Sequence, residues 1–260
     1  MEELINFWRQ FQLNDNGGHL IHSDELNALN DLNMQYFTFH DYVNNPDNLF
    51  ISNTIIHSGL IPVPYSGDLT NAEIFILMIN PGFDHNDYYS ETIPEYRNAL
   101  ISNLHQENLN EDYPFFYLNP LFCHTSGGAY WLKKFNNIIE KLHKENNYDY
   151  AQILSLISQN ICVLELFPYH SENFNISNRI LNNCASVSLI RDFVQSIIVN
   201  NKLVICLRQP NNWRINQNNA QNLHILPANQ RQSASLNVNE GNVGQIIYNK
   251  LIDIAIQPNN

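Results

Sequence analysis

Residues 73–83 read EIFILMINPGF, an almost unbroken apolar run that stops at Asn80-Pro81-Gly82. Alternation of apolar and polar residues marks a strand with one wet face. A continuous run such as this predicts a strand covered on both faces, as in the parallel sheet of an α/β protein. The carboxyl end of such a strand is where α/β proteins keep their chemistry. Here the chain goes on to Asp84, His85, Asp87, Tyr88 and Tyr89.

Working outward, ICVLELF (161–167), LVICL (203–207) and LHIL (223–226) are likewise largely continuous rather than alternating. Amphipathic segments separate them: WLKKFNNIIEKLHKENN (131–147) and SLIRDFVQSIIVN (188–200) each gather their apolar residues on one helical face, and a last helix is expected over 243–256. The alternation predicts an α/β fold with a central parallel four-stranded sheet flanked by helices. Upstream, Leu4, Ile5, Trp8 and Phe11 recur at helical spacing, and a second helix is expected from a Ser23 cap through Leu26 and Leu29. Residues 1–60 are thus expected to form an N-terminal helical extension, and residues 61–260 the main domain.

A chain of 260 residues, 44% of them hydrophobic, can bury a full-sized core. No apolar run approaches the ~20 residues that cross a bilayer, and MEELINFWRQF is acidic and amphipathic rather than a targeting segment, so a cytoplasmic monomer with no membrane partner is expected. Cys123, Cys162, Cys184 and Cys206 stand far apart with no CxxC pair, which suggests free thiols and no metal centre. The net charge of −12 is unevenly spread: residues 1–120 hold 2 Lys/Arg against 17 Asp/Glu, and residues 121–260 hold 11 against 8. A nucleic-acid face, if one exists, would be built from the second half and touch few phosphates.

Taken together, the strand ends read INPGF (79–83), ELFPYHS (165–171), LRQPNNW (207–213) and ILPANQRQSASLN (225–237). This set resembles the uracil-DNA glycosylase superfamily, in particular its mismatch-specific and thymine-DNA glycosylase branch, whose first motif reads GINPG and whose last opens on a Leu-Pro or Met-Pro turn. The resemblance spans roughly residues 60–255. It offers no counterpart for residues 1–60 or for EDYPFFYLNPLFCHTSGGAYW (111–131).

The resemblance implies a metal-free, cofactor-free enzyme that flips a base out of duplex DNA and hydrolyses its N-glycosidic bond, leaving an abasic site. Asn80 matches the residue that positions the attacking water, with Asp84, His85 or Asp87 as assistants. Gly82 stands where the uracil-specific branch has a tyrosine that excludes C5 substituents, so the pocket is expected to admit larger bases. Phe83, Tyr88 and Tyr89 offer faces for the base to stack on. Glu165 matches the base-reading position, often asparagine, and a carboxylate suits the exocyclic amine of cytosine better than the O4 of uracil. Tyr169 and His170 complete the expected pocket. Gln230, Arg231 and Gln232 would be the minor-groove wedge and phosphate contacts, Ser233 and Ser235 would donate to the backbone, and Arg208, Trp213 and Arg214 would add contacts.

Each of these residues also has a structural role open to it: Asn80 as a turn residue before Pro81, Gly82 as a positive-φ glycine, the aromatics as packing, Glu165 as a paired internal carboxylate. The expected substrate is a C5-substituted cytosine such as glucosylated hydroxymethylcytosine, which would fit defence against phages with modified DNA. Uracil or thymine mismatch repair, and a silent nucleic-acid-binding member of the fold, are the alternatives.

Overall fold

The computed structural model describes residues 1–13, 18–35, 38–44, 54–215, 220–239 and 241–256. The four expected strands are all present: β4 (Ile74–Leu77), β5 (Ile161–Leu164), β6 (Leu203–Cys206) and β7 (Leu223–Ile225). They pair in parallel, with Ile76 opposite Val163 on one side and Ile205 on the other. Every residue of β4, β5 and β6 is buried, which accounts for their unbroken apolar sequence.

The sheet is larger than the sequence suggests. Tyr65–Ser66 forms a further strand, β3, antiparallel to β5, so that the order is β3-β5-β4-β6-β7. A second, two-stranded sheet joins β1 (Met34–Gln35) to β2 (Ile56–His57). Both additions are two-residue ladders whose partners are distant in sequence, and Tyr65–Ser66 lies in the turn-like stretch IPVPYSGD, so neither carries a local strand signal.

The helices are α1 (Glu2–Arg9), α2 (Leu26–Leu29), α3 (Phe39–Asn44), α4 (Asn86–Ser90), α5 (Pro94–His105), α6 (Ser126–Asn146), α7 (Tyr150–Asn160), α8 (Asn178–Asn183), α9 (Ala185–Val199) and α10 (Val243–Ile256). They form two groups: α1 packs on α5 and α9, while α6 packs on α7 and α10. With the strands buried on both faces, the two groups cover the two sides of the sheet. The turn before α2 is capped by the His22 side chain, which accepts from Asp24 N, and Ser23 is not the cap.

The amino-terminal segment packs into the main core. Leu4, Trp8, Phe11, Leu20 and Leu29 belong to the same buried cluster as the sheet. Glu25, fully buried, accepts from Tyr169 Oη at 2.5 Å, from Ser186 N at 3.0 Å and from Ser186 Oγ at 2.6 Å. A buried carboxylate with three donors is the condition under which such a charge is tolerated in a core. No helix among the described residues is long and apolar enough to cross a membrane.

Candidate functional site

A cavity of about 350 Å³ opens at the carboxyl ends of β4, β5 and β6. Asn80, Pro81, Gly82 and Phe83 reach it from β4, Glu165 from β5 and Arg208 from β6. β4 is followed by β5 on one flank and β6 by β7 on the other, so the strand order reverses between β4 and β6, the arrangement that opens a crevice at strand ends.

Asn80 is held by its amide nitrogen. Nδ2 donates to Ser171 O at 3.0 Å and to Ser171 Oγ at 3.2 Å. A carbonyl oxygen can only accept, so this contact fixes which end of the amide is which, and it leaves Oδ1 as the group available to the cavity. Trp213 supports the same strand end: its indole Nε1 donates to Met78 O at 2.8 Å, and the ring is fully buried. The expectation that Trp213 contacts DNA is therefore corrected. Its place under the floor satisfies the buried N–H, as a core indole requires.

Gly82 combines a positive φ of +74° with open space where a β-carbon would stand. The backbone favours glycine there, and the missing side chain leaves the cavity unobstructed on that side. His170 clamps this turn, its Nδ1 3.0 Å from Gly82 O and its Nε2 3.0 Å from Ile61 O. Burial pulls the His170 pKa below its ordinary value, while nearby Asp87 and the two carbonyl oxygens oppose that pull.

Glu165 is buried, and its Oε2 has no hydrogen-bond partner among the described residues. Burial raises its pKa well above the usual carboxylate range; the Arg208 guanidinium and a backbone hydrogen bond from Ile79 pull the other way. Arg208 Nε is likewise buried without a partner among the described residues, and its Nη2 donates to Gln232 O at 3.4 Å.

The opposite wall comes from the segment 111–131 and from α4 and α5. Tyr117, Ser126, Gly127, Tyr130 and Trp131 line this side together with Asp87, Glu91 and Tyr96. Thr125 caps α6 by accepting from Gly128 N at 3.1 Å. The two glycines that open the helix are there for close approach. A β-carbon at Gly127 would run into the Tyr117 ring, and one at Gly128 into Phe122 O.

Asp87 accepts from Ser126 Oγ and from Asp84 N, and burial raises its pKa. Glu91 takes Ile61 N at 2.9 Å and faces Arg97 at 3.4 Å, and burial, the largest influence, lifts its pKa to about 8. Asp87 and Glu91 stand four residues apart, on one side of α4 and its end, a helical spacing that puts both on the cavity.

Several expected pocket residues lie elsewhere. His85 is exposed and bonded to Tyr42 Oη, and it does not line the cavity. Tyr88 is buried against Tyr42, with ring centroids 4.5 Å apart, and exposed Tyr89 packs on Phe39. Tyr169 is buried beneath the site, spent on Glu25. In each case a neighbour from the amino-terminal segment takes the side chain, and that neighbour could not be foreseen from the local sequence. Asp84 and Phe83 do line the cavity, Phe83 with one face stacked on His57 at 3.6 Å.

At the rim, the loop after β7 is pinned from inside. Arg231 Nε donates to Leu226 O at 2.7 Å, Ser233 Oγ donates to Gln230 O at 3.0 Å, and Lys134 donates to Ser233 O and Ala234 O. Gln230, Arg231 and Ser235 are half-buried, while Gln232 and Ser233 are exposed. Arg214 is exposed and pairs with Asn182 at 2.7 Å, away from the cavity lining. Among the described residues, no group of three or more His, Cys, Asp or Glu side chains could hold a metal ion.

Comparison with known proteins found no matching family model, no matching curated protein and no matching solved structure.

Proposed function

We propose that the protein is a monofunctional DNA glycosylase of the uracil-DNA glycosylase fold, acting on a cytosine-type base with a C5 substituent. The observation that carries the reading is the pairing of Asn80 and Glu165 at adjacent strand ends of one cavity. Asn80, anchored through Nδ2, has its Oδ1 left to orient a water. Glu165 has an unpartnered oxygen left to meet the edge of a base.

The rest of the lining has roles within this reading. The space beside Gly82 receives the C5 substituent. Arg208 and Lys134, at the rim with the 227–237 loop, supply the positive charge that a phosphate backbone needs. An amide orients water without deprotonating it, so most of the rate must come from stabilising the departing base and the sugar cation. A cytoplasmic, monomeric defence enzyme against modified phage DNA is the biological setting that suits this substrate.

The test is base release from duplexes carrying uracil, a thymine mismatch, 5-hydroxymethylcytosine or its glucosylated form. Release confined to the modified cytosines supports the reading. Release of uracil alone would return the protein to mismatch repair. Duplex binding without release from any of them would make it a silent binder.

A further inference from the structure

Glu165 presents a problem that the proposed function leaves unsolved. A cytosine is a poor leaving group as an anion, because its ring, unlike that of uracil, has no second carbonyl to hold the charge. Its departure is eased by a proton delivered to N3. The group delivering it must sit at the Watson–Crick edge, carry a proton at neutral pH, and tolerate the charge left behind once the proton has gone.

Three features of the site meet these conditions. Glu165 is only 6% exposed, and its Oε2 meets no hydrogen-bond partner among the described residues, although it lines a cavity large enough for a base. An ionised oxygen left without a donor in such a place is costly, whereas a protonated one is a donor waiting for an acceptor. Arg208 lines the same cavity, its charge acts on the Glu165 carboxyl, and its Nε has no partner among the described residues, so a cation stands near the carboxylate once the proton is gone. Tyr130 from α6 and Tyr117 from the turn before α6 also interact with it, and Asp87, Glu91, His170 and Glu172 line the same cavity. Burial raises both phenols, Tyr130 to about 12, so near neutral pH neither competes for the proton.

We infer that Glu165 is a neutral carboxylic acid in the resting enzyme and acts as the general acid of base excision, giving its Oε2 proton to N3 of a cytosine-type base. The inference rests on the glycosylase reading and deepens it, since it changes Glu165 from a passive acceptor into the proton source. The neutral acid pairs with the base in two places: Oε2–H donates to N3, and the other oxygen accepts from the exocyclic amine. As the C1′–N1 bond breaks, its electron pair stays on the base, which leaves neutral with the proton on N3. The sugar carries the positive charge until the water held by Asn80 adds to C1′. The proton that this water sheds balances the one Glu165 gave up, and the carboxyl is reprotonated for the next turnover.

The experiment combines two measurements on the full chain and on Glu165→Gln. Infrared difference spectra between the two proteins read the carbonyl stretch of a protonated acid without any turnover. Single-turnover release is then followed against pH on duplexes carrying 5-hydroxymethylcytosine, its glucosylated form, or uracil. Gln keeps one donor and one acceptor but cannot give up a proton. The expected result is an acid band at neutral pH that is absent from the variant, and a rate on the modified cytosines that tracks that band as pH rises. Glu165→Gln should slow those substrates by about 10²–10⁴-fold. Any release of uracil should not track the band, because uracil leaves as an anion and needs no such proton.

Absence of the band, or a variant within about threefold of the wild type on modified cytosine, would overturn the inference; threefold is far below what a general acid contributes. A present band with no base released from any duplex would fail the glycosylase reading, and the proposed role with it, while leaving the neutral acid as a fact about the protein.

Discussion

The wall of the cavity made by the strand ends is held by backbone and by groups anchored to it, whereas the wall made by residues 115–131 is held by interlocked rings. Asn80 and Gly82 owe their positions to β4, to Ser171 and His170, and to the indole beneath Met78. Tyr117 owes its position to Phe115, Phe116 and the close approach of Gly127. In the proposed reading, the first wall carries the groups that react or bind at defined atoms. The second sets what shape can stand opposite them.

Substitutions in the two walls should therefore fail in different ways. The largest effect is expected for Asn80→Ala, which should reduce base release by at least ~100-fold while duplex affinity is kept, since orienting a nucleophile acts on the chemical step. Single-turnover rates set beside gel-shift affinities would separate the two. Equal losses in both would place Asn80 with the structural residues.

Next in size is Gly127→Ala on the other wall. The added methyl must displace the Tyr117 ring, and overpacking of this kind costs about 1–3 kcal/mol, readable in a urea titration. Activity should fall only as far as the wall shifts, and the loss should depend on the size of the C5 substituent. A loss equal for large and small bases would break the distinction between the two walls.

A third effect concerns pH. Glu91 is enclosed at the end of α4 beside Ile61 N and Arg97, and burial lifts its carboxyl from 4.5 to about 8. A raised folded-state pKa contributes stability that is whole below the unfolded value and is lost as pH climbs through the folded one. The protein should lose a few kcal/mol of stability between about pH 4.5 and 8 through this group, and Glu91→Gln should flatten that slope. Melting temperatures across this range for both proteins would check it.

The smallest effect is expected for Lys134→Ala. It frees the loop at Ser233 and Ala234 and removes one cation from the rim. Duplex binding should weaken evenly across sequences, with the salt slope reduced by about 1.

The same contrast explains what could be read from the sequence. Of the four parallel strands, β4, β5 and β6 were legible because burial on both faces writes itself as an apolar run, while β7, half-buried at His224 and Ile225, left a shorter mark; Asn80, Gly82, Glu165 and Arg208 stand where those three runs end. Glu91, Tyr96 and Tyr117 carried no such mark; the i,i+4 step from Asp87 to Glu91 was the one local signal, and it needed α4 to be placed first. Trp213 and Tyr169 misled because an aromatic beside a strand end looks the same whether it faces the cavity or the core. What separates them is a partner far along the chain, Met78 O for Trp213 and Glu25 for Tyr169. The aromatic cluster of Tyr42, His57, Phe83 and Tyr88 was hidden for the same reason, since half of it comes from the amino-terminal segment.

The most direct test of the account is alkali-induced strand cleavage of a duplex carrying glucosylated 5-hydroxymethylcytosine, run with the wild type and with Asn80→Ala. The account predicts cleavage at the modified base by the wild type and none above background by the variant. Cleavage that persists in Asn80→Ala, or wild-type silence on this duplex and on every other modified cytosine, would contradict it.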